Sequence, residues 1–173
     1  MDSEIRQVLL GVRQGTVSVD QALLTLKQKP FEDMGYAKVD LHRKLRQGAG
    51  EVIYGEGKTG EQIVGILTGM AENGQKNVLI TRLSPEKAAF VQKTHPIFYD
   101  PASRIGILGE KAQPWGMGKI VIATGGTSDI PVAEEAALTA EFLGNPVNRL
   151  YDVGVSGIHR LLQHSEELMD ASV

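Results

Sequence analysis

Lys119-Ile120-Val121-Ile122-Ala123-Thr124-Gly125-Gly126-Thr127-Ser128-Asp129 is the stretch on which the fold turns. Its first five residues are four apolar ones behind a single lysine. A strand covered on both faces carries a continuous rather than an alternating apolar run, so 119–123 reads as a fully buried strand of the parallel kind. The Gly-Gly turn after it leads into a helix expected from Ile130 to about Leu143. Ala133, Ala136, Ala137, Ala140 and Leu143 would face in, Glu134, Glu135 and Glu141 out, and Gly144 would stop it. Val147 to Val153 is the next strand, Gly154-Val155-Ser156-Gly157 a second glycine loop, and Ile158 to about Met169 the next helix.

Strand, loop and helix, twice over, open a doubly wound (flavodoxin-like) parallel sheet of three layers, α/β/α. Such sheets hold about five or six strands. Only two are read over 119–173, so the expectation there is an incomplete domain. Gln113-Pro114-Trp115-Gly116-Met117-Gly118 has the composition of a linker.

Upstream, 31–112 reads as a small α+β or α/β domain. Tyr36–Asp40, Glu51–Tyr54, Asn77–Arg82, Ile97–Asp100 and Arg104–Leu108 are its strand segments. Leu41–Gln47 is a basic helical turn. Thr59 opens a helix through a capping box with Gln62, places Ile63, Leu67 and Met70 inward, and ends at Gly74. Ser84-Pro85-Glu86 starts another, cap then proline. Residues 1–30 form a helical hairpin. Ser3 caps the first helix and Gly15 stops it; Ser18 and Gln21 box the second, and Pro30 ends it. Two helices this short cannot bury their own apolar faces.

Composition narrows the function. The charge sum of −3 carries no electrostatic footprint for nucleic acid or an anionic membrane. No apolar run approaches the roughly 18 residues of a spanning helix, and Met1-Asp2-Ser3-Glu4 lacks the basic start of a signal peptide. A cytoplasmic location is expected. There is no cysteine, which removes disulfides, thiolate metal sites and a thiol nucleophile from these residues. No metal-ligating cluster is read.

The candidate site follows from the parallel sheet, where ligands lie at the carboxyl ends of strands. Gly125 and Gly126 let backbone N–H groups approach an anion, Thr127 and Ser128 add hydroxyls, and Asp129 adds a carboxylate. The plainer reading makes Ser128 or Asp129 a helix cap. Asp152, Ser156, His159 and Arg160 fall at the end of the neighbouring strand and in the turn after it, so the two loops should meet. Arginine can hold a phosphate and histidine can move protons near neutrality. Gly55-Glu56-Gly57-Lys58-Thr59-Gly60 matches G-x-G-x-x-G. It is not a phosphate loop, because Val52 stands where that pattern needs glycine. It remains a turn with a cap, an anion contact through Lys58, or a dinucleotide loop in which Arg82 would suit a 2′-phosphate. Arg43, Arg46 and Lys58 form a possible basic anion-binding cluster.

These segments resemble the nickel-pincer cofactor biosynthesis family LarB. The resemblance rests on Ile122 to Ala136 and on Tyr151-Asp152-Val153-Gly154-Val155-Ser156-Gly157-Ile158-His159-Arg160. It extends to Pro30–Asp40, His42-Arg43, Leu45–Gly48 and Glu51–Thr59. The later part is similar to the aminoimidazole ribonucleotide carboxylase of purine synthesis, so 119–173 would be the start of a PurE-like carboxylase domain.

The resemblance implies carboxylation of nicotinic acid adenine dinucleotide at pyridinium C5 and hydrolysis of its phosphoanhydride. AMP and pyridinium-3,5-biscarboxylic acid mononucleotide would be the products, on the way to the nickel-pincer cofactor of lactate racemase-type enzymes. It implies CO2 or bicarbonate as co-substrate, Mg2+ as a candidate accessory ion, and a homo-oligomer. Matching motifs put Asp129 and His159 in proton handling. They make Gly125, Gly126, Thr127, Ser128, Asp152, Ser156 and Arg160 substrate contacts. The family's nucleophile is a cysteine, which this sequence lacks. The expectation is therefore a chain inactive by itself. The alternatives are a non-catalytic nucleotide-binding module and an NADP-dependent oxidoreductase using Gly55–Gly60.

Overall fold

The structure is a computed structural model that describes residues 2–28, 31–33, 38–40, 52–110 and 113–173. It begins with α1 (Asp2–Arg13) and α2 (Val19–Gln28), which pack on each other as a hairpin. Gly15 stops α1 with φ +74. Ser18 Oγ accepts the Gln21 N–H at 3.1 Å while Gln21 Oε1 accepts the Ser18 N–H at 3.4 Å, as the capping box requires. Helix α1 already includes Ser3, so its start lies ahead of the expected cap. Leu9, Leu23 and Leu24 stay exposed along the hairpin.

Strands β1 (Phe31–Asp33) and β2 (Lys38–Asp40) pair antiparallel. Only β2 was expected from the sequence. The basic turn Leu41–Gln47, with Arg43 and Arg46, lies outside the described residues.

A mixed sheet follows, in the order β3-β4-β6-β5: β3 (Val52–Tyr54), β4 (Val78–Thr81), β5 (Ile97–Asp100) and β6 (Ile105–Leu108). β3 and β4 run parallel around α3 (Gly60–Glu72), and β6 runs antiparallel to both β4 and β5. The Thr59–Gln62 capping box forms, with bonds of 3.0 and 3.2 Å. Ser84 caps α4 (Pro85–Val91). Ile53, Ile63, Ile66, Leu67, Met70, Val78, Ile80, Leu83, Ala88 and Val91 make a closed core between α3, α4 and this face of the sheet. β4 is central, so all three of its aliphatic side chains are fully buried.

The second half supplies β7 (Ile120–Ala123), α5 (Ile130–Phe142) and β8 (Val147–Leu150), a parallel βαβ unit whose register runs from Ile120↔Val147 to Ala123↔Leu150. Its helix covers the other face of the four-stranded sheet. Leu138 and Phe142 join Leu79, Ile105 and Ile107 in a second core. Helix α5 therefore packs against two sheets, and the side left to solvent carries Val132 and Ala136. That corrects two expectations. Ala136 is exposed, and Glu134, Glu135 and Glu141 are half-buried in ion pairs.

β7 is not fully buried either: Ile120, Val121 and Ile122 are half-covered and Ala123 is exposed. The cause is its neighbourhood, since among the described strands β7 pairs with β8 alone. Its far edge meets Ser172, whose N–H donates to Lys119 O, and Val173, whose O accepts from Val121 N–H, both at 2.9 Å. The helix expected over 158–169 is broken into α6 (Ile158–Leu162) and α7 (Ser165–Met169). At the break His164 N–H bonds Leu161 O, a tighter turn than α-helix, with no glycine or proline to announce it. The architecture is α/β, with parallel strands and helices around them.

Candidate functional site

The ends of β7 and β8 are sewn together by Thr124. Its N–H donates to Leu150 O (3.0 Å), its O accepts from Val153 N–H (2.9 Å), and its buried Oγ1 accepts the Asp152 N–H (3.0 Å). This last bond holds Asp152 where the chain turns through φ +60. That left-handed conformation costs most residues about 1–2 kcal/mol and suits Asp better than most. The turn carries Gly154 against the other loop. A Cβ on Gly154 would collide with the Gly125 carbonyl. The two glycine loops therefore touch through backbone, and only glycine at 154 permits it.

Asp129 shapes the first loop. Its Oδ2 accepts the Gly126 N–H at 3.0 Å across the 3-10 turn Thr127–Asp129, instead of capping α5. Gly125, Thr127, Ser128 and Asp129 are exposed and Gly126 is half-buried. On the second loop Asp152 is ion-paired with Arg160, whose guanidinium lies against Gly157. Ser156, in the 3-10 turn Val155–Gly157, and His159, in the first turn of α6, are exposed. Hydroxyls, two carboxylates, an imidazole and a guanidinium thus share one rim at the carboxyl ends of two parallel strands, the usual place for a ligand in such a sheet.

Sequence reasoning missed the support beneath this rim. Tyr151 donates its hydroxyl to Glu134 Oε1 at 2.5 Å, and Arg149 Nε donates to both Glu134 oxygens at 3.0 and 3.2 Å. Arg149 also pairs with Glu141. Burial first, and then the Glu134 carboxylate, push the Tyr151 phenol up to about 12. The hydrogen bond that Arg149 donates to Glu141 chiefly, with Glu134 behind it, holds Arg149 still more firmly protonated than usual. The signal was present: an arginine inside a strand, opposite glutamates one and three turns into a helix.

The first-domain loop ends at the same side of the molecule. Gly55 N–H donates to Thr81 O (2.8 Å), so the loop sits at the carboxyl ends of β3 and β4. Arg82, just past β4, pairs through Nε with Glu135 at 2.9 Å. Glu135 lies about 8 Å along α5 from its start, at 1.5 Å per residue. Lys58 turns back to Tyr54 O (3.2 Å). Arg43 and Arg46 lie outside the described residues. Among the described residues no group of three or more His, Cys, Asp or Glu is placed to hold a metal ion. No helix among them is long and apolar enough to cross a membrane.

Two comparisons bear on this geometry. The family model for the LarB/PurE-like N-terminal domain matches residues 31–110. An uncharacterized protein of Methanocaldococcus jannaschii, MJ0165, is 34% identical over 180 residues, an alignment that spans 100% of this chain and 70% of the relative. With a sheet, glycine loops and sequence that all fit it, the chain belongs to the LarB/PurE-like family.

Proposed function

We propose that the chain takes part in carboxylating the pyridinium ring of nicotinic acid adenine dinucleotide at C5 and in hydrolysing its phosphoanhydride. Family membership supports a LarB-type or carboxylase-related role. The observation that carries the finer reading is the backbone contact of Gly125 with Gly154, which makes one rim from two loops.

A pyridinium is too electron-poor to attack CO2. A thiolate adding at C4 turns the ring into a dienamine whose C5 forms the new C–C bond. Loss of the C5 proton and expulsion of the thiolate restore the aromatic ring. Asp129 and His159 are assigned to that proton. Gly125 to Ser128 receive the anionic groups, and Arg160, held by Asp152, faces a carboxylate or phosphate. The 173 residues contain no cysteine, so the thiolate comes from outside them. CO2 or bicarbonate is the co-substrate.

The test is to titrate nicotinic acid adenine dinucleotide, NAD and NADPH into the chain, then add labelled bicarbonate with a small thiol in place of the missing nucleophile. The expectation is preference for the acid dinucleotide over NAD by about tenfold, the scale of one charge-assisted contact, with ring-bound label and AMP when thiol is present. Binding with neither product would leave a nucleotide-binding module. Hydride transfer from NADPH would make it an oxidoreductase.

A further inference from the structure

The β3–α3 loop belongs to a cluster that the carboxylase reading leaves unused. Lys58 comes from that loop, Arg82 from the end of β4, Lys87 from α4 and Arg104 from the start of β6. Glu56 sits among them, with its carboxylate hydrogen-bonded by the Tyr54 hydroxyl. That bond chiefly, then Arg104, Arg82 and Lys87, hold the Glu56 carboxyl below its ordinary range. Lys87 is committed: its Nζ donates to Gly55 O (2.9 Å) and Glu56 O (2.8 Å) and pins the loop. Arg82 spends its Nε on Glu135. Its terminal nitrogens, and the guanidinium of Arg104, have no protein partner among the described residues. The remaining nearby acids are occupied. Asp100 accepts from Ser103 N–H (2.8 Å) and Oγ–H (2.6 Å), and Glu86 is bonded by Ser84.

Among the described residues Arg82 and Arg104 are also two of the three non-glycine residues with positive φ, at 53 and 57, and Leu83 N–H to Arg104 O (2.8 Å) ties their backbones side by side. Two arginines held in a costly conformation next to each other, with the exposed Glu56 carboxylate close enough to feel both charges, resemble an anion site filled by a residue of its own chain.

We propose that Arg82 and Arg104 bind a phosphoryl group of the nucleotide, and that Glu56 is the internal placeholder this group displaces. The inference rests on the carboxylase reading only for the identity of the nucleotide. The cluster lies at the same end of the molecule as the glycine rim, with α5 and the Arg82–Glu135 pair between them.

The test is calorimetric titration of pyrophosphate into the chain and two variants. Arg104→Gly removes the guanidinium and relaxes the left-handed backbone, so the fold is kept. Glu56→Gln removes the placeholder charge. The expected result is opposite signs: affinity falls by about tenfold in Arg104→Gly and rises by about threefold or more in Glu56→Gln, the scale of single charge-assisted contacts. The melting midpoint of Arg104→Gly should be unchanged or higher. Unchanged affinity in both variants, or a fall in both, would overturn the proposal. So would pyrophosphate binding that is lost in Arg160→Gln and kept in Arg104→Gly, which would put the anion on the second-domain rim. Carboxylation with an indifferent Arg104 sinks this inference alone. A responsive Arg104 without any ring-bound label sinks the carboxylase reading alone.

Discussion

β4 and β7 are spelled almost alike, Val-Leu-Ile-Thr and Ile-Val-Ile-Ala, yet they end in different surroundings. β4 has a partner strand on each edge, α3 and α4 on one face and α5 on the other, so Val78, Leu79 and Ile80 are 0% exposed. Among the described residues β7 has one partner strand, and its own residues are half-covered or open. An apolar run states that a strand forms. How deeply it is buried depends on how many neighbours arrive. The comparison extends to function: the well-packed sheet supplies rigidity, while the site sits at the tips of the thinly covered one.

The largest effect that could break this contrast is a pair of truncations. Leu79→Ala should cost about 3 kcal/mol, because Leu79 joins the sheet to α5 and its loss leaves a cavity, whereas Val121→Ala should cost about 1 kcal/mol or less. Urea denaturation of both variants reads the difference; equal costs would erase it. Next comes Gly154→Ala. Its methyl group strikes the Gly125 carbonyl, so the loops must separate. Overpacking of this kind costs about 1–3 kcal/mol, and nucleotide affinity should fall by more than the melting curve does. A loss confined to stability would show that the loop contact is only architecture.

Arg82→Met tests how the halves are joined. The pair with Glu135 is partly exposed, so its removal should cost little and the cost should shrink with salt. A large, salt-independent cost would mean that this pair, rather than the Leu79–Leu138–Phe142 core, holds α5 in place. The smallest effect concerns alkaline pH. Tyr151 has a folded-state value raised from 10.0 to about 12, by burial first and Glu134 second. Its contribution to stability is therefore complete below pH 10 and is lost as pH rises through about 12. Tyr151→Phe should flatten that part of the melting-against-pH curve, and an unchanged slope would place the alkaline loss elsewhere.

Much of the fold was legible because its signals are local. The Thr59 and Ser84 caps, the Gly15, Gly74 and Gly144 stops and the βαβ order of 119–153 each depend on a few neighbouring residues. The failures are non-local. The ion pairs of Glu134, Glu135 and Glu141 follow from α5 packing against two sheets, with Arg82 on one and Arg149 on the other, and Ala136 is left on the side that neither covers; its periodicity cannot reveal either. The break at His164 carries no sequence mark. At the site, the meeting of the Gly125 and Gly154 loops followed from the rule that adjacent parallel strands present their ends together. Thr124 and the Tyr151–Glu134–Arg149 support did not, since they act through partners far apart in the chain.

The central claim is that residues 125–129 and 152–160 act as one binding surface. A 1H–15N correlation titration with nicotinic acid adenine dinucleotide tests it directly. The account predicts that the amides of Gly125, Gly126, Gly154, Ser156 and Gly157 shift together along a single saturation curve. Shifts limited to one loop, or none at either, would contradict it.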